Sequence, residues 1–263
     1  MLTLTHATTA GAIDVELSDR HSRFARTAIR TAPADAVKST GLRAIKPGKS
    51  NGKLGKGRIA RGPAPYRGRV IYALTLEERA TCPSTCNQLD RCYGDNMPFA
   101  IRFIVDDALY AAIRADLATL DSKHPEGYVI RLHVLGDFKH PAYVAFWAEM
   151  MAEHPGLAVY GYTHWPADSR MGQLIAALCA RYPDRFRILR SDGLGVDDSL
   201  PRAVVVRDWA DTPAGVTPCP EMTGKSESCA TCGLCMNGRT SVSFIDHGQG
   251  ARRDHSPSLL AGR

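Results

Sequence analysis

RVIYALTLEERATCPSTCNQLDRCYG, residues 69–94, joins a strand-like run to a cysteine-rich loop. The first part, Arg69–Leu76, is a short apolar run with β-branched and aromatic residues, which is typical of a buried β-strand. The second part carries Cys82, Cys86 and Cys92 in polar surroundings. In parallel α/β folds, the loops that leave the carboxyl ends of the strands converge on one face and build the active site. The stretch therefore predicts a strand that ends in a three-cysteine site.

Helical and strand-like patterns alternate over the rest of the chain. Amphipathic helices are predicted from about Pro98 to His124, around the apolar face Tyr143–Met151, and over about Asp168–Tyr182. The strand-like runs are Arg69–Leu76, Tyr128–Leu135, Leu157–Thr163, Phe186–Arg190, Ala203–Arg207 and Ser241–Ile245. Strands that alternate with helices predict an α/β fold with a parallel sheet. We expect a partial (β/α)6 TIM-like barrel as the first choice and an open doubly wound sheet as the second.

The 263-residue chain divides into three predicted parts. Its composition is that of an ordinary globular protein, and its length suits one large α/β domain or two small ones. Residues 1–68 show little sustained periodicity and are predicted to be an N-terminal extension with a basic arm. Residues 69–210 form the α/β core. Residues 211–263 form a C-terminal region with four more cysteines and a last core strand.

The net charge of +6 is unevenly distributed. Residues 38–69 carry ten Lys or Arg and no Asp or Glu, among many Gly and Pro. Such a stretch predicts a poorly ordered basic arm that tracks phosphates, with nucleic acid as a partner. The alternative interpretation is a solvated linker without a ligand.

The cellular compartment determines how the eight cysteines are interpreted. No run approaches the roughly 18 apolar residues of a membrane-spanning helix, and the N-terminus lacks the order of a secretory signal. We therefore expect a cytoplasmic protein without membrane contact. Cytosolic thiols stay reduced, so clustered cysteines there are more often metal ligands than disulfides.

The first cysteine group, Cys82, Cys86 and Cys92, has no nearby fourth Cys or His. Three thiolates leave one position of a [4Fe–4S] cluster free, and a chemically active metal needs such an open position. The alternative is zinc with a His or Asp from elsewhere in the chain as the fourth ligand.

A second cysteine group lies near the C-terminus. Cys229, Cys232 and Cys235 follow the C-x2-C-x2-C order of bacterial ferredoxins, and Cys219 precedes a proline as the remote ferredoxin cysteine does. Four thiolates close a coordination shell, which predicts a second [4Fe–4S] cluster or a zinc site for electron transfer or structure. The remaining cysteine, Cys179, lies on an apolar helix stripe and is predicted to be a core residue.

Polar residues also occur where the predicted strands end. As a set they are expected to line a polar cavity above the first cysteine group, although any one of them is an ordinary structural residue in the simpler interpretation. They are His133, His164, Arg190, Ser191, Asp192, Arg207 and His247.

The strand, the three-cysteine loop and the following alternation resemble the radical S-adenosylmethionine (radical SAM) enzymes. The spacing here is C-x3-C-x5-C, whereas C-x3-C-x2-C is common in that superfamily. The resemblance implies that the three cysteines hold a [4Fe–4S] cluster whose open iron is chelated by S-adenosylmethionine. One-electron reduction by an electron donor then yields a 5′-deoxyadenosyl radical.

The same resemblance implies roles for individual residues. Gly136–Asp137–Phe138 is similar to the glycine-rich acidic turn that contacts the methionine ammonium, and Tyr93 is placed for contact with the adenine. Ser191 or Arg190 would meet the ribose or the carboxylate of the cofactor. Candidate catalytic residues are thus Asp137, Arg190 and Asp192, and candidate cofactor-binding residues are Tyr93, Gly136, Asp137 and Ser191.

A closer resemblance is to the phage and prophage family called gene product eighty-eight. It covers roughly residues 50–247 and brings no known reaction. The motifs that carry it are NGKLGK at 51–56, CPSTC and CYG within 82–94, LGDF at 135–138, YGYT at 160–163 and the C-terminal cysteines.

Two functional hypotheses follow. The first is a radical SAM-type enzyme that modifies a nucleic acid, a nucleotide or another substrate. The second is a non-catalytic nucleic-acid-binding phage protein that zinc or an iron–sulfur cluster stabilises, with the basic arm as its main element.

Overall fold

The computed structural model of the chain describes residues 3–8, 11–16, 30–32, 43–88, 92–97, 100–191 and 199–246. Its strands are β1 Thr3–Thr8, β2 Gly11–Glu16, β3 Arg30–Ala32, β4 Lys46–Pro47, β5 Ile71–Ala73, β6 Ile101–Phe103, β7 Tyr128–Leu132, β8 Leu157–Thr163, β9 Phe186–Ser191, β10 Arg202–Val206, β11 Thr217–Pro218 and β12 Val242–Ile245. Its α-helices are α1 Glu78–Thr81, α2 Asp107–Lys123, α3 Pro141–Glu153, α4 Arg170–Arg181 and α5 Cys229–Cys232.

The main sheet has eight strands in the order β4-β5-β7-β8-β9-β10-β12-β11. All neighbours are parallel except the antiparallel pair β4 and β5. The edge strands β4 and β11 do not pair with each other, so the described sheet is open. Outside it, β1 and β2 form an antiparallel pair, and β3 pairs parallel with β6.

The strand order confirms the predicted α/β class. The six predicted core strands lie side by side in chain order, and a doubly wound sheet would instead reverse its order near the middle. Right-handed crossovers between sequential parallel strands place the connecting helices on one face. The structure is thus an open sheet covered by helices α2, α3 and α4 on one side, and its curvature into a partial barrel stays a prediction.

The helix predicted from Pro98 begins later. Residues Ile101–Phe103 form strand β6, and helix α2 begins at Asp107, where the side chain of Asp106 accepts a hydrogen bond from the Leu109 N–H at 2.8 Å. A side-chain cap of this kind satisfies an N–H group that has no partner within the helix. The prediction of a helix start at Pro98 was wrong because the pairing of β6 with β3 is a tertiary contact.

The two sheet faces carry different cores, since side chains alternate along each strand. Tyr128, Ile130 and Leu132 of β7 pack into the larger core with the helices. Val129 and, from β8, Tyr160 belong to the core on the opposite face. No helix in the part of the chain that the structure describes is long and apolar enough to cross a membrane.

The opposite face is covered by part of the predicted basic arm. Leu54, Ile59 and Tyr66 are buried against it, and the Tyr66 hydroxyl donates to the Val159 carbonyl at 2.7 Å. The expectation of a poorly ordered arm is wrong for residues 43–69, because these apolar side chains anchor the basic segment to the sheet. Residues 38–42 lie outside the described residues.

Candidate functional site

A cavity of about 650 Å³ lies on the sheet face opposite the helices, between the loop after β5 and the C-terminal segment. Residues at or just beyond the carboxyl ends of β7, β8, β9 and β12 contribute to its wall. The cavity collects the cysteines of both predicted groups, namely Cys82, Cys86, Cys92, Cys219, Cys229, Cys232 and Cys235. Cys179 is buried in the helix-side core, as predicted. The sequence placed the two groups separately, whereas the fold gives them one shared cavity.

The first group sits on a loop that short local contacts hold in place. Cys82 follows helix α1 directly, and its N–H donates to the Glu78 carbonyl at 2.9 Å. The Cys86 N–H donates to the Pro83 carbonyl at 3.1 Å. The Cys92 Sγ accepts from the Gly94 N–H at 3.4 Å. Hydrogen bonds thus fix the backbone at Cys82 and Cys86 and the side chain of Cys92.

Arg102, which the sequence analysis did not single out, ties this loop together. Its guanidinium is fully buried and pairs with the Glu78 carboxylate at 2.7 Å. It also donates to the carbonyls of Gly94, at 2.8 Å, and Met97, at 3.1 Å. The ion pair therefore connects the residues before the first cysteine with those after the third. An isolated Arg in a short strand between two polar loops was the available signal.

Negative charge is concentrated around the first group. Burial raises the pKa of Cys82 far above its ordinary value, and the nearby charges of Asp137, Cys86 and Cys92 raise it further. Thiolates that repel one another in a desolvated site are stabilised by a bound cation. The donor set and its electrostatics therefore fit a thiolate-ligated metal or cluster.

Asp137 lies beside this group in the turn after β7. One carboxylate oxygen accepts from the Phe138 N–H at 2.7 Å and the Thr163 hydroxyl at 2.8 Å, and the other accepts from the His164 N–H at 2.7 Å. Burial raises the pKa of Asp137 to about 7, while these hydrogen bonds and the charge of Arg190 oppose the rise. The carboxylate joins the ends of β7 and β8 and lines the cavity, and about one of its four lone-pair positions is not used by these three hydrogen bonds.

Gly136 brings the turn against the cysteine loop. Its φ of +87° lies in the left-handed region, and a Cβ there would stand 2.7 Å from Leu76 Cβ and from Thr81 Oγ1. The Thr81 hydroxyl accepts from the Asp137 N–H at 3.0 Å. Only glycine allows this close approach between the turn and helix α1.

Of the other predicted cofactor-binding and catalytic residues, some line the cavity and others do not. Tyr93 and Ser191 line the cavity, and the Tyr93 hydroxyl donates to the Val134 carbonyl. Arg190 is buried and is not a lining residue; its guanidinium donates to the Trp165 carbonyl. Asp192 lies outside the described residues. The roles of all four stay predictions.

The remaining polar strand-end residues also differ in position. His133 and His164 line the cavity, and His133 forms a 3.0 Å hydrogen bond with the Tyr143 hydroxyl. Burial lowers the pKa of His133 to about 3, so this imidazole is neutral. Arg207 is exposed and is not a lining residue. His247 lies outside the described residues.

The second cysteine group is built on the one-turn helix α5. Ser228 caps this helix and forms reciprocal hydrogen bonds with Thr231. The Cys229 N–H donates to the Lys53 carbonyl at 2.8 Å, and the Cys219 N–H donates to the Ser243 carbonyl at 2.9 Å. The basic segment and strand β12 therefore position this group from two sides.

Buried thiols and nearby cations set the electrostatics of the second group. Burial raises the pKa of Cys229 to about 11 and that of Cys235 to about 12. The charge of Cys219 adds to both rises, whereas Arg131 lowers both pKa values. The Tyr162 hydroxyl donates to the Cys235 Sγ at 2.9 Å. This four-thiol set, like the first, fits a bound metal or cluster.

The donors of both groups are thiols, a ligand type that zinc and iron–sulfur clusters share. Within the described ranges, no three His, Cys, Asp or Glu side chains converge closely enough to form a site for a single metal ion. An iron–sulfur cluster spreads its cysteine ligands over several irons.

A family model described as "Gene product 88" matches residues 46–238, which include both cysteine groups. The chain belongs to the gene product 88 family. This confirms the family resemblance found in the sequence motifs. The match includes the basic segment from β4 onward and all four cysteines of the second group, as the motif resemblance over roughly residues 50–247 had indicated.

Two similar curated proteins come from phages. The chain is 29% identical to the Gene 88 protein of Mycobacterium phage L5 over 130 residues, which are 44% of this chain and 54% of that protein. It is 29% identical to the Gene 88 protein of Mycobacterium phage D29 over 150 residues, which are 52% of this chain and 62% of that protein. The match thus spans less than two thirds of either relative. No solved structure matches the chain.

Proposed function

We propose that this gene product 88 protein is a radical SAM-type [4Fe–4S] enzyme. The observation that carries the proposal is that Cys82, Cys86 and Cys92 line one cavity beside the Asp137 turn, at the carboxyl side of a parallel sheet. Parallel α/β folds place their active sites at this end of the strands.

The three thiols are the proposed ligands of the catalytic cluster. The thiol of Cys82 interacts electrostatically with those of Cys86 and Cys92. Three cysteines leave one iron without a protein ligand, which is the position for S-adenosylmethionine. When bound, the cluster and its cofactor would supply one-electron cleavage of the sulfonium to a 5′-deoxyadenosyl radical.

The chain's own side chains bind and orient the cofactor in this proposal. Tyr93, directly after the third cysteine, offers its ring to the adenine. The residue is 38% exposed to solvent, so the ring is accessible to a ligand. Asp137, held by three hydrogen bonds, directs its remaining lone pairs to the methionine ammonium. Gly136 lets the backbone approach, and Ser191 faces the cofactor from the end of β9. Pre-positioned groups of this kind reduce the entropy that binding costs.

Arg190 and Asp192 complete the proposed catalytic set. Arg190 acts through Asp137, because its charge lowers the pKa of that carboxyl without contact with the cavity. Asp192 follows strand β9 directly. The Cys219, Cys229, Cys232 and Cys235 group would hold an auxiliary [4Fe–4S] cluster, with zinc as the alternative.

A cysteine substitution with a matched control tests the proposal. Protein purified without oxygen should contain iron and sulfide and should cleave S-adenosylmethionine to 5′-deoxyadenosine after reduction. Cys86→Ala should abolish the cleavage, because a two-thiolate site does not hold the cluster. Cys179→Ala, a change of the same size in the helix-side core, should retain it. Cleavage by Cys86→Ala at the rate of the unchanged protein would refute the proposal.

The second candidate function is a non-catalytic nucleic-acid-binding protein, and the basic segment favours it. Its exposed basic residues are Arg43, Lys49, Lys56, Arg58, Arg61 and Arg67. Arg58 is already paired with Glu126 at 2.7 Å. Binding through phosphates should weaken steeply as salt rises, and Lys49→Ala/Lys56→Ala should reduce the slope by about 2. Zinc alone in anaerobic protein, together with salt-dependent binding, would support this candidate over the enzyme.

A further inference from the structure

Two tyrosines of strand β8 face the second cysteine group. Tyr160 and Tyr162 are alternate residues of the strand, so both side chains project from the same sheet face. The Tyr162 hydroxyl donates to the Cys235 Sγ at 2.9 Å. Tyr160 is buried and lines the same cavity as Cys229. Both tyrosines thus lie on the wall of the cavity that holds the second cysteine group.

Arg131 adds a positive charge to this wall. Its guanidinium carbon lies 4.3 Å from the centre of the Tyr162 ring and 5.6 Å from that of Tyr160. One guanidinium nitrogen donates to the Leu132 carbonyl at 2.6 Å, which fixes its orientation. Arg131 lines the same cavity as Cys229 and Cys235. The arginine, stacked on two tyrosine rings, therefore adds a positive charge to the cavity wall on the sheet face opposite the helices.

Such a wall has a specific effect on a redox centre. Each added electron makes an iron–sulfur cluster more negative, so hydrogen-bond donors and cations near its thiolates favour the reduced state. A zinc ion has no accessible second oxidation state, so the same groups would change no potential. A measured reduction potential therefore tests whether the tyrosine hydroxyls act on an iron–sulfur cluster.

We infer that Tyr160, Tyr162 and Arg131 are positioning residues that raise the reduction potential of an iron–sulfur centre bound by Cys219, Cys229, Cys232 and Cys235. The centre takes one electron from a low-potential donor, which is oxidised by one electron, and passes it to a one-electron acceptor of higher potential, which is reduced; no proton leaves the tyrosines. The inference deepens the proposed function by making the second site redox-active instead of structural. It does not require S-adenosylmethionine cleavage.

The test measures the midpoint potential of the second centre by itself. Full-length protein with Cys86→Ala, which removes the first cluster, is purified and reconstituted without oxygen and titrated with dithionite in the presence of redox mediators. The spectrum of the reduced cluster reports the potential. Adding Tyr162→Phe should shift the midpoint to a more negative value, because the thiolate loses a hydrogen-bond donor.

Tyr110→Phe is the matched control. The Tyr110 hydroxyl has no hydrogen-bond partner within the described ranges. Its ring stacks on that of Phe146, with 4.6 Å between the ring centres, on the helix side of the sheet. This variant should leave the potential unchanged. Equal potentials for the Tyr162→Phe and Tyr110→Phe proteins would overturn the inference, and so would a second site that retains only zinc.

Two further variants decide the case if Tyr162→Phe fails to hold the cluster. Arg131→Gln, which removes the charge, should shift the midpoint to a more negative value, and Arg131→Lys should shift it less. If neither variant moves the potential, the inference is wrong. Loss of cofactor cleavage in protein with an intact first site would refute the proposed function but leave these potential shifts in place.

Discussion

Arg102 has the largest structural effect that we expect from any single residue near the first cysteine group. It pairs with Glu78 at 2.7 Å, and the two side chains are 0% and 2% exposed. Removing one partner of such a pair leaves the other charge buried and unpaired, which costs about 3–5 kcal/mol. Arg102→Met should therefore lower the free energy of unfolding by that amount in a denaturant titration.

A surface arginine provides the comparison. Arg114 pairs with Glu149 at 2.7 Å and with Glu153 at 2.9 Å, but its side chain is 42% exposed. Exposed ion pairs contribute only about 0–1 kcal/mol because solvent screens them. Arg114→Met should thus have little effect. Similar losses for the two variants would show that the Arg102 pair does not hold the loop.

Adding a methyl group at Gly136 should destabilise the fold in two ways, by backbone strain and by a steric clash. Its positive φ strains any other residue by about 1–3 kcal/mol, and the new Cβ would also clash with Leu76 and Thr81. Gly215 has a φ of +78° with no atom within 4 Å of its hypothetical Cβ. Gly136→Ala should therefore destabilise the fold more than Gly215→Ala does. Equal free energies of unfolding would contradict the close approach.

Residue patterns were good guides where the chemistry is local. The spacing of the cysteines placed three thiols on one loop and three more in a short C-terminal run, and both groups line the cavity. Arg131, Tyr160 and Tyr162 were not selected, because a strand shows only that its side chains alternate and not what faces them. The available signals were the charged residue inside the apolar run YVIRLHVL and the YGYT motif at 160–163.

At the scale of elements, the basic segment behaves as part of the core. Leu54 is 4% exposed and packs in the same core as Val129 and Tyr160. Leu54→Ala should lower the free energy of unfolding by about 2–5 kcal/mol, the usual cost of a truncated core leucine. Lys56→Ala, two residues away and exposed, should change it by less than about 0.5 kcal/mol. A negligible effect of Leu54→Ala would restore the idea of a loose arm.

The elements themselves were predicted unevenly for a physical reason. Long strands with a continuous apolar run, such as β8 at Leu157–Thr163, were placed to the residue. Short elements depend on distant partners: β4 has two residues and exists through its pairing with β5, and β6 through its pairing with β3. Composition alone therefore made residues 43–69 resemble a linker, although three spaced apolar side chains were the available signal.

At the scale of the whole molecule, the proposed metal at the second cysteine group would tie segments to the sheet face opposite the helices, so its removal should loosen them. The second cysteine group joins the C-terminal segment to the Lys53–Leu54 backbone, and metal binding to such ligands contributes directly to folding. Stripping the metal with a chelator should lower the melting temperature measured by circular dichroism. The chelator should cause a smaller decrease in Cys229→Ala/Cys232→Ala protein. Equal decreases in both proteins would place the stabilising metal elsewhere.

Local sequence was sufficient for the α/β class, the two cysteine groups and the family, because each depends on residues close together in the chain. The shared cavity, the covered sheet face and the tyrosine and arginine wall emerged only from the fold. Tyr162 and Cys235 are 73 residues apart in the chain, yet their side chains are in hydrogen-bonding contact. Side-by-side packing of sequential strands creates that contact, and no pattern within either segment encodes the distance between them.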